Sequence, residues 1–335
     1  MACTPSHPGA ESDTRAGPRH LDAAALRSRL PMAALVQALR EMFVRGCVAP
    51  PRHTHQIGDA GSVLLMPAWS EAGASERLFG IKTVTIFPGN GALGLPGVHA
   101  VYALFDARTG VPLALMDGSE LTARRTAAAS ALAASYLARA DATRLLLVGA
   151  GRVASLLPEA MRCVRPGVAQ VQVWNRHPAG AQALAAALRS QGLEASAAHD
   201  LHAAVGQAHI VSCATLSTAA LVRGDWLAPG THLDLIGSFT PAMREADAGC
   251  FARARVFVDT EEALAKSGDV LQAVAEGQFE LSQLQGTLAE LCRGEKPGRA
   301  SADEITLFKS VGSALEDLAS AELACAAPDN AALPA

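Results

Sequence analysis

The sequence predicts an α/β protein whose larger part is a doubly wound parallel sheet of the Rossmann type. Four consecutive aliphatic residues, Leu145 to Val148, have the pattern of a strand buried on both faces, as in parallel sheets. Gly149, Gly151 and Ala154 follow at the small positions of a Gly-x-Gly-x-x-Gly/Ala loop. Strand and helix patterns then alternate as far as Val258, which is typical of this architecture.

The glycine-rich loop indicates a dinucleotide-binding site. Gly149 permits a sharp turn, Gly151 lets the backbone approach a pyrophosphate, and Ala154 lets the next helix pack close to the strand. The free N–H groups of that helix would then face the phosphates. A plain strand–turn–helix could carry the same residues. The strand before the loop, the helix after it and a second strand at Gln170–Trp174 favour the dinucleotide interpretation.

The chain before this loop predicts a different kind of sheet. Residues 1–20 are polar and contain prolines, so we expect a disordered tail and no signal peptide. Leu21–Arg45 is predicted to be helical with an interruption at Pro31. The strand patterns that follow have no helices between them, which indicates an antiparallel sheet in an α+β region. These strands are Gly61–Trp69, Arg77–Phe87, His99–Phe105 and Val111–Met116.

A long alanine-rich helix, Glu120–Ala138, connects this region to the glycine-rich loop. The predicted strands of the second region are Arg144–Ala150, Gln170–Trp174, His209–Ala214, His232–Ile236 and Val256–Val258, with helices that include Arg152–Cys163 and Ala179–Arg189. A last long helix is predicted over Ser301–Ala326, because Ser301 and Glu304 have the spacing of a capping box.

Composition excludes several classes of function. The net charge is −4 and no basic stripe is visible, so nucleic acid is not an expected partner. No apolar run is long enough to span a membrane. The seven cysteines are scattered without a Cys-x-x-Cys pair, which indicates reduced thiols in a cytoplasmic protein. His53 and His55 lack a third ligand nearby, so no metal site is predicted.

The second strand of the predicted Rossmann sheet ends in residues that favour NADPH, with NADH as an alternative. A carboxylate at this position would bind the ribose hydroxyls and select NAD, whereas Asn175 and Arg176 suit a 2′-phosphate. The alternative is that Arg176 is simply a solvated residue at the start of a helix.

Three basic residues are candidates for substrate binding. Pro50 and Pro51 stiffen the backbone that presents Arg52. Lys82 interrupts an apolar strand, where it either contacts substrate in a cleft or points outward from an edge strand. Arg125, like Arg124, sits early in a helix where its charge opposes the dipole, so it is either beside a substrate carboxylate or the cofactor phosphates, or a surface residue.

The sequence resembles the ornithine cyclodeaminase/mu-crystallin family from about Leu21 to Leu323. The stretches that carry the resemblance are Gly80-Ile-Lys-Thr-Val, Phe105-Asp-Ala-Arg-Thr-Gly, Leu121-Thr-Ala-Arg-Arg-Thr-Ala-Ala, Val148-Gly-Ala-Gly, Trp174-Asn-Arg, Gly237-Ser-Phe-Thr-Pro, Val258-Asp-Thr, Lys266-Ser-Gly-Asp and Phe308-Lys-Ser-Val-Gly. The resemblance implies a substrate-binding and dimerisation domain (21–125 with 313–335) and a Rossmann domain (126–312).

The resemblance also implies a set of site residues. Arg52, Lys82 and Arg125 match positions that hold the substrate carboxylate or act beside the reacting carbon, and Lys82 is the catalytic candidate. The positions that match cofactor contacts are Arg125, Thr126, Gly149, Ala150, Gly151, Arg152, Val153, Asn175, Arg176, Thr215, Leu216, Ser238 and Gly312, the last expected within the final helix.

One departure separates the branches of the family. Ornithine cyclodeaminases carry an aspartate where this sequence has Phe239, which cannot accept a proton. The resemblance therefore implies an NAD(P)H-dependent reductase of cyclic ketimine carboxylates, Δ1-pyrroline-2-carboxylate and Δ1-piperideine-2-carboxylate, that acts as a homodimer. The alternatives are a cyclodeaminase, an alanine dehydrogenase of the same family, or an NADPH-binding protein without turnover.

Overall fold

The computed structural model describes residues 17–71, 73 and 77–327. Two β-sheets organise this part of the chain, and a buried alanine-rich helix lies between them. The predicted class, α/β with a Rossmann-type parallel sheet, is confirmed. None of the helices in the described ranges is long and apolar enough to cross a membrane.

The first sheet has six strands in the order β1-β6-β5-β4-β3-β2. Neighbouring strands from β2 to β6 are antiparallel, as predicted, and β1 pairs in parallel with β6. The strands are β1 (Arg19–Leu21), β2 (His53–Ile57), β3 (Gly61–Trp69), β4 (Leu78–Ile86), β5 (Val98–Asp106) and β6 (Pro112–Asp117).

Three helices cover the region of this sheet, and local chemistry fixes where each begins. They are α1 (Ala23–Arg29), α2 (Met32–Arg45) and α3 (Gly118–Leu137). Asp22 caps α1 by accepting a hydrogen bond from the Ala25 amide, and Asp117 caps α3 in the same way through Glu120. Pro31 separates α1 from α2, as predicted from its missing N–H.

The second sheet has eight parallel strands in the order β13-β12-β14-β11-β10-β7-β8-β9. The order reverses between β7 and β10, which is where doubly wound sheets open a crevice for ligands. The strands are β7 (Arg144–Val148), β8 (Gln170–Trp174), β9 (Glu194–Ala197), β10 (Ile210–Cys213), β11 (His232–Leu235), β12 (Ala254–Val258), β13 (Gly286–Thr287) and β14 (Ile305–Lys309).

The helices that follow α3 lie between these strands, except the last, which packs on the first sheet; within the described part of the chain, no α-helix separates β10 from β11, and two lie between β12 and β13. They are α4 (Arg152–Val164), α5 (Pro178–Ser190), α6 (Leu201–Gln207), α7 (Ala248–Arg253), α8 (Glu262–Lys266), α9 (Gly268–Ala275), α10 (Leu288–Cys292) and α11 (Ala314–Ala326). Helix α11 packs against α2, α3 and the inner face of β3 and β4. It therefore brings residues from the end of the chain to the first sheet.

Two predictions about the ends of the chain are wrong. The helix predicted over Ser301–Ala326 is a strand, β14, followed by the shorter helix α11. The Glu304 amide does donate to the Ser301 hydroxyl, at 3.2 Å, but the chain then extends to pair between β11 and β12. The predicted tail, 1–20, overlaps β1 at its end, while residues 1–16 lie outside the described residues.

Candidate active site

One cavity of about 660 Å³ lies between the crevice of the parallel sheet and the inner face of the first sheet. Every residue predicted to belong to the site lines this cavity except Ser238. The Ser238 side chain is buried and hydrogen-bonded to the protein itself, donating to the Met243 carbonyl at 2.7 Å and accepting from the Asp269 amide at 3.0 Å.

The turn between β7 and α4 has space for a phosphate group. Gly149 has φ 112°, and a Cβ there would lie 2.6 Å from the Ala214 carbonyl oxygen, so only glycine fits. A Cβ at Gly151 would meet no atom within 4 Å, so the backbone is open to a ligand at the N-terminus of α4. The Arg152 side chain beside this turn forms an ion pair with the buried Glu120.

The end of β8 presents a cation instead of a carboxylate. Trp174 is followed by Asn175 and Arg176, and all three line the cavity. The Asn175 amide donates to the His177 carbonyl at 3.0 Å, which fixes the loop, while Arg176 is exposed.

The buried carboxylate of Glu245 holds the loop after β10 in place. The amide and hydroxyl of Thr215 both donate to one oxygen of Glu245, at 2.7 and 2.8 Å. Burial raises the pKa of Glu245 to about 7, although the charge of Lys309 acts in the opposite direction. Leu216 projects from this loop with 69% of its surface exposed. Thr122 also lines the cavity, and its hydroxyl has no hydrogen-bond partner within the described residues.

Lys82 is buried in the middle of the first sheet, so the alternative of an outward-facing edge-strand lysine is wrong. Strand β4 lies between β3 and β5, and Lys82 is paired there with Met66 and Tyr102. Its amino group lies 2.7 Å from a carboxylate oxygen of Asp317 on α11. Burial lowers the pKa of Lys82 to about 8, because the Asp317 charge only partly compensates for lost hydration.

Arg125 completes a buried ion network with the start of α11. Its Nε lies 3.1 Å from Asp317 and its Nη1 lies 2.7 Å from Glu316. The sequence predicted a substrate carboxylate or cofactor phosphates beside Arg125, whereas the anions that contact it within the described residues are these two protein carboxylates. Gly312 belongs to the loop before α11, not to the last helix as predicted, and has φ 74°. A Cβ there would overlap the Arg125 guanidinium.

Arg124 faces away from the cavity. Its Nε donates to the Leu30 carbonyl at 2.8 Å, so it joins α3 to the end of α1.

Arg52 is held by a carboxylate on the side away from the cavity. Its Nε and Nη2 donate to the two oxygens of Glu262 at 3.0 and 2.9 Å, and Nη2 also donates to the Gly312 carbonyl at 2.8 Å. Arg52 lines the cavity and Glu262 does not. Within the described ranges, Nη1 has no hydrogen-bond partner. It is therefore the nitrogen that remains for a ligand.

Sequence reasoning missed the three carboxylates that organise these cations: Glu262, Glu316 and Asp317. A signal was present for the last two. Glu316 and Asp317 interrupt an alanine-rich run in α11, and an acidic pair in such a run needs cationic partners when the helix is buried.

The cavity residues fit a dinucleotide. The open backbone at Gly151, the absence of a carboxylate after β8 and the unpartnered Thr122 hydroxyl each leave room for a polar group of such a ligand.

A model of the ornithine cyclodeaminase/mu-crystallin family matches residues 21–326. The chain belongs to this family. Among curated relatives, protein SAR DEFICIENT 4 of Arabidopsis thaliana is 41% identical over 82% of this chain and 86% of its own. A Δ1-pyrroline-2-carboxylate reductase of Paracoccus denitrificans is 40% identical over 90% of this chain and 94% of its own.

Solved structures of the family share the whole architecture. The Δ1-pyrroline-2-carboxylate reductase of Thermococcus litoralis with NADH and L-proline has a TM-score of 0.87 and 32% identity, covering 92% of this chain and 96% of that one. An archaeal alanine dehydrogenase dimer with NAD has a TM-score of 0.85 and 29% identity, covering 92% of this chain and 95% of that one. The iminosuccinate reductase of Paracoccus denitrificans with NAD+ has a TM-score of 0.82 and 27% identity, with the same coverage of both chains.

These likenesses establish the reaction type. The protein is an NAD(P)H-dependent oxidoreductase that acts on C=N bonds.

Proposed function

We propose that the protein reduces cyclic ketimine carboxylates, Δ1-pyrroline-2-carboxylate to L-proline and Δ1-piperideine-2-carboxylate to L-pipecolate. The observation that carries the proposal is the placement of Arg52, Lys82 and Arg125 on one wall of a cavity whose other end is the glycine-rich turn. A planar imine with one carboxylate matches this wall. The Thermococcus reductase, which binds NADH and L-proline, supports the choice of substrate.

The substrate carboxylate would be bound by Arg52 with help from Arg125. Because Glu262 and Gly312 occupy Nε and Nη2 of Arg52, the contact to substrate comes from Nη1, not from the bidentate edge. Arg125 lies on α3, and its contacts with Glu316 and Asp317 fix the orientation of its guanidinium group.

Lys82 would hold the proton that the ring nitrogen needs. Its amino group is buried on the cavity wall, and its pKa of about 8 makes proton release possible near neutral pH. Asp317 keeps the ammonium oriented at 2.7 Å. The chemistry that a bound nicotinamide supplies is hydride donation to the imine carbon.

We propose that NADPH is preferred over NADH, because Arg176 follows β8 where a carboxylate would select NAD. The residues that would hold the cofactor are those predicted from the sequence: Arg125, Thr126, Gly149, Ala150, Gly151, Arg152, Val153, Asn175, Arg176, Thr215, Leu216 and Gly312. Ser238, whose side chain is engaged elsewhere, would act only through its backbone.

We also propose the division into a substrate-binding and dimerisation domain, 21–125 with 313–335, and a dinucleotide-binding domain, 126–312. Two copies would associate through the strands of the first sheet and helices α1, α2 and α11, and Val101, on the face of β5 away from the cavity, is 54% exposed. The archaeal alanine dehydrogenase is a dimer. Light scattering should give twice the chain mass at micromolar concentration, and a monomer would contradict this.

Free thiols at the described cysteines support a cytoplasmic setting.

The alternatives from the same family can be tested directly. Phe239 lines the cavity and offers no proton acceptor, so ornithine should not yield proline and ammonia. Mass spectrometry that detected both products with catalytic NAD+ would support a cyclodeaminase. Reduction of pyruvate with ammonium in preference to the cyclic imines would support an alanine dehydrogenase. Tight NADPH binding without turnover on any imine would support a binding protein.

A further inference from the structure

The substrate end of the cavity is already compensated in charge. Each of its cations is paired with a carboxylate: Arg52 with Glu262 at 2.9 Å, Lys82 with Asp317 at 2.7 Å, and Arg125 with Glu316 at 2.7 Å. The buried Asp259 adds one negative charge, and Lys266, whose amino group lies 2.5 Å from Glu262 on the same helix, adds one positive charge. Such a site tolerates little additional charge, and a cyclic imine with one carboxylate, which takes the Lys82 proton at its ring nitrogen, brings a single negative charge.

Among these carboxylates, Glu262 differs in its position. Asp317 and Glu316 are fully buried in α11, where they hold the cations that join α3 and β4 to that helix. Glu262 keeps 26% of its side chain exposed and lies on the short helix α8. It contacts the cavity only through Arg52, whose Nε–Nη2 edge it occupies.

We propose that Glu262 determines substrate specificity. Because it occupies one edge of Arg52, it leaves this residue able to bind only one substrate carboxylate, and imines of dicarboxylic acids are excluded. The proposal rests on the proposed function. With Glu262 in place, Arg52 offers a single nitrogen to the cavity, and the charge of that guanidinium is already balanced. A second carboxylate on the substrate would add an uncompensated negative charge among buried groups, which is unfavourable where water cannot screen it.

Removal of the Glu262 charge should reverse this restriction. In Glu262→Gln the guanidinium of Arg52 is no longer neutralised, and its net positive charge can balance a second substrate carboxylate. Glu262→Asp keeps the charge with a shorter side chain, so it should keep the discrimination. Glu261→Gln is the matched control, because it makes the same chemical change at the neighbouring exposed residue.

The experiment compares kcat/KM for Δ1-piperideine-2-carboxylate with kcat/KM for the imine formed from oxaloacetate and ammonium, using the full chain with NADPH. We expect the ratio to fall at least tenfold in Glu262→Gln, mainly by a gain on the dicarboxylate, and to stay within twofold in Glu262→Asp and Glu261→Gln. An unchanged ratio in Glu262→Gln, an equal loss on both substrates, or a similar fall in Glu262→Asp would overturn the proposal.

A binding measurement keeps this test independent of the proposed function. Pyruvate and oxaloacetate differ by one carboxylate, and the rise that each causes in the unfolding temperature can be measured without turnover. We expect Glu262→Gln to increase the stabilisation by oxaloacetate relative to pyruvate, and no such increase would overturn the role of Glu262. If the unaltered protein fails to reduce either cyclic imine, the proposed function is wrong, whatever the binding data show for Glu262.

Discussion

The pH dependence of turnover should depend on Lys82. Its pKa of about 8 means that roughly nine-tenths of the molecules carry the Lys82 proton at pH 7 and roughly one-tenth at pH 9. A proton donor works in its protonated form, so kcat should fall roughly tenfold as the pH rises from 7 to 9. Lys82→Met should lower kcat about a hundredfold or more at pH 7, with a smaller effect on KM, because the proton is needed in the transition state.

The structure also indicates what Lys82→Met does to stability. Asp317 keeps its contact with Arg125 at 3.1 Å, so the buried carboxylate is not left alone and the variant should fold. Folding lowers the pKa of Lys82 from 10.5 to about 8, so the unfolded chain binds more protons between these values. The free energy of unfolding of the unaltered protein should therefore gain a contribution from Lys82 as the pH rises through this window. Lys82→Met should lose that contribution.

The assay is NADPH oxidation with Δ1-piperideine-2-carboxylate from pH 6 to 10, with urea unfolding at the same pH values. Lys82→Arg keeps the charge but cannot release a proton in this range, so its residual activity should show no decrease near pH 8. Lys296→Met, at an exposed lysine, is the matched control and should behave like the unaltered protein. Full turnover in Lys82→Met, or an unchanged alkaline decrease in it, would refute the proposed role.

Three further substitutions test other parts of the structure. Arg52→Ala should raise the KM for the cyclic imine about ten- to a hundredfold through loss of a charged hydrogen bond, whereas an unchanged KM would remove Arg52 from the site. Arg176→Asp should raise the Michaelis constant for NADPH relative to that for NADH, and an unaltered ratio of the two constants would contradict the 2′-phosphate role. Gly80→Ala should lower the free energy of unfolding by about 1–3 kcal/mol, because its Cβ would overlap the Tyr102 hydroxyl. Gly89→Ala, where a Cβ meets nothing within 4 Å, is its control, and equal stability of the two variants would be inconsistent with this packing.

The features that the sequence predicted correctly depend on neighbouring residues. The turn at Gly149 and Gly151 follows directly from the strand before it and the helix after it, and Arg176 comes at the end of a predictable strand. The break at Pro31 has a purely local cause, the missing N–H.

The features that the sequence did not predict depend on distant parts of the chain. Lys82 and Asp317 are 235 positions apart, so the partner of the lysine becomes visible only when α11 packs on β4. Ile305–Lys309 carries no helical period, but the capping-box spacing of Ser301 and Glu304 favoured a helix. Its real conformation follows from insertion between β11 and β12, which is a tertiary contact.

The central claim, reduction of cyclic ketimine carboxylates, is tested most directly by one comparison of substrates. NADPH oxidation is measured with Δ1-pyrroline-2-carboxylate, with Δ1-piperideine-2-carboxylate, and with pyruvate plus ammonium at matched concentrations. We expect kcat/KM for at least one cyclic imine to exceed that for pyruvate plus ammonium at least a hundredfold, with L-proline or L-pipecolate as the product. Faster turnover of pyruvate plus ammonium, or NADPH binding with no oxidation by either cyclic imine, would contradict the claim.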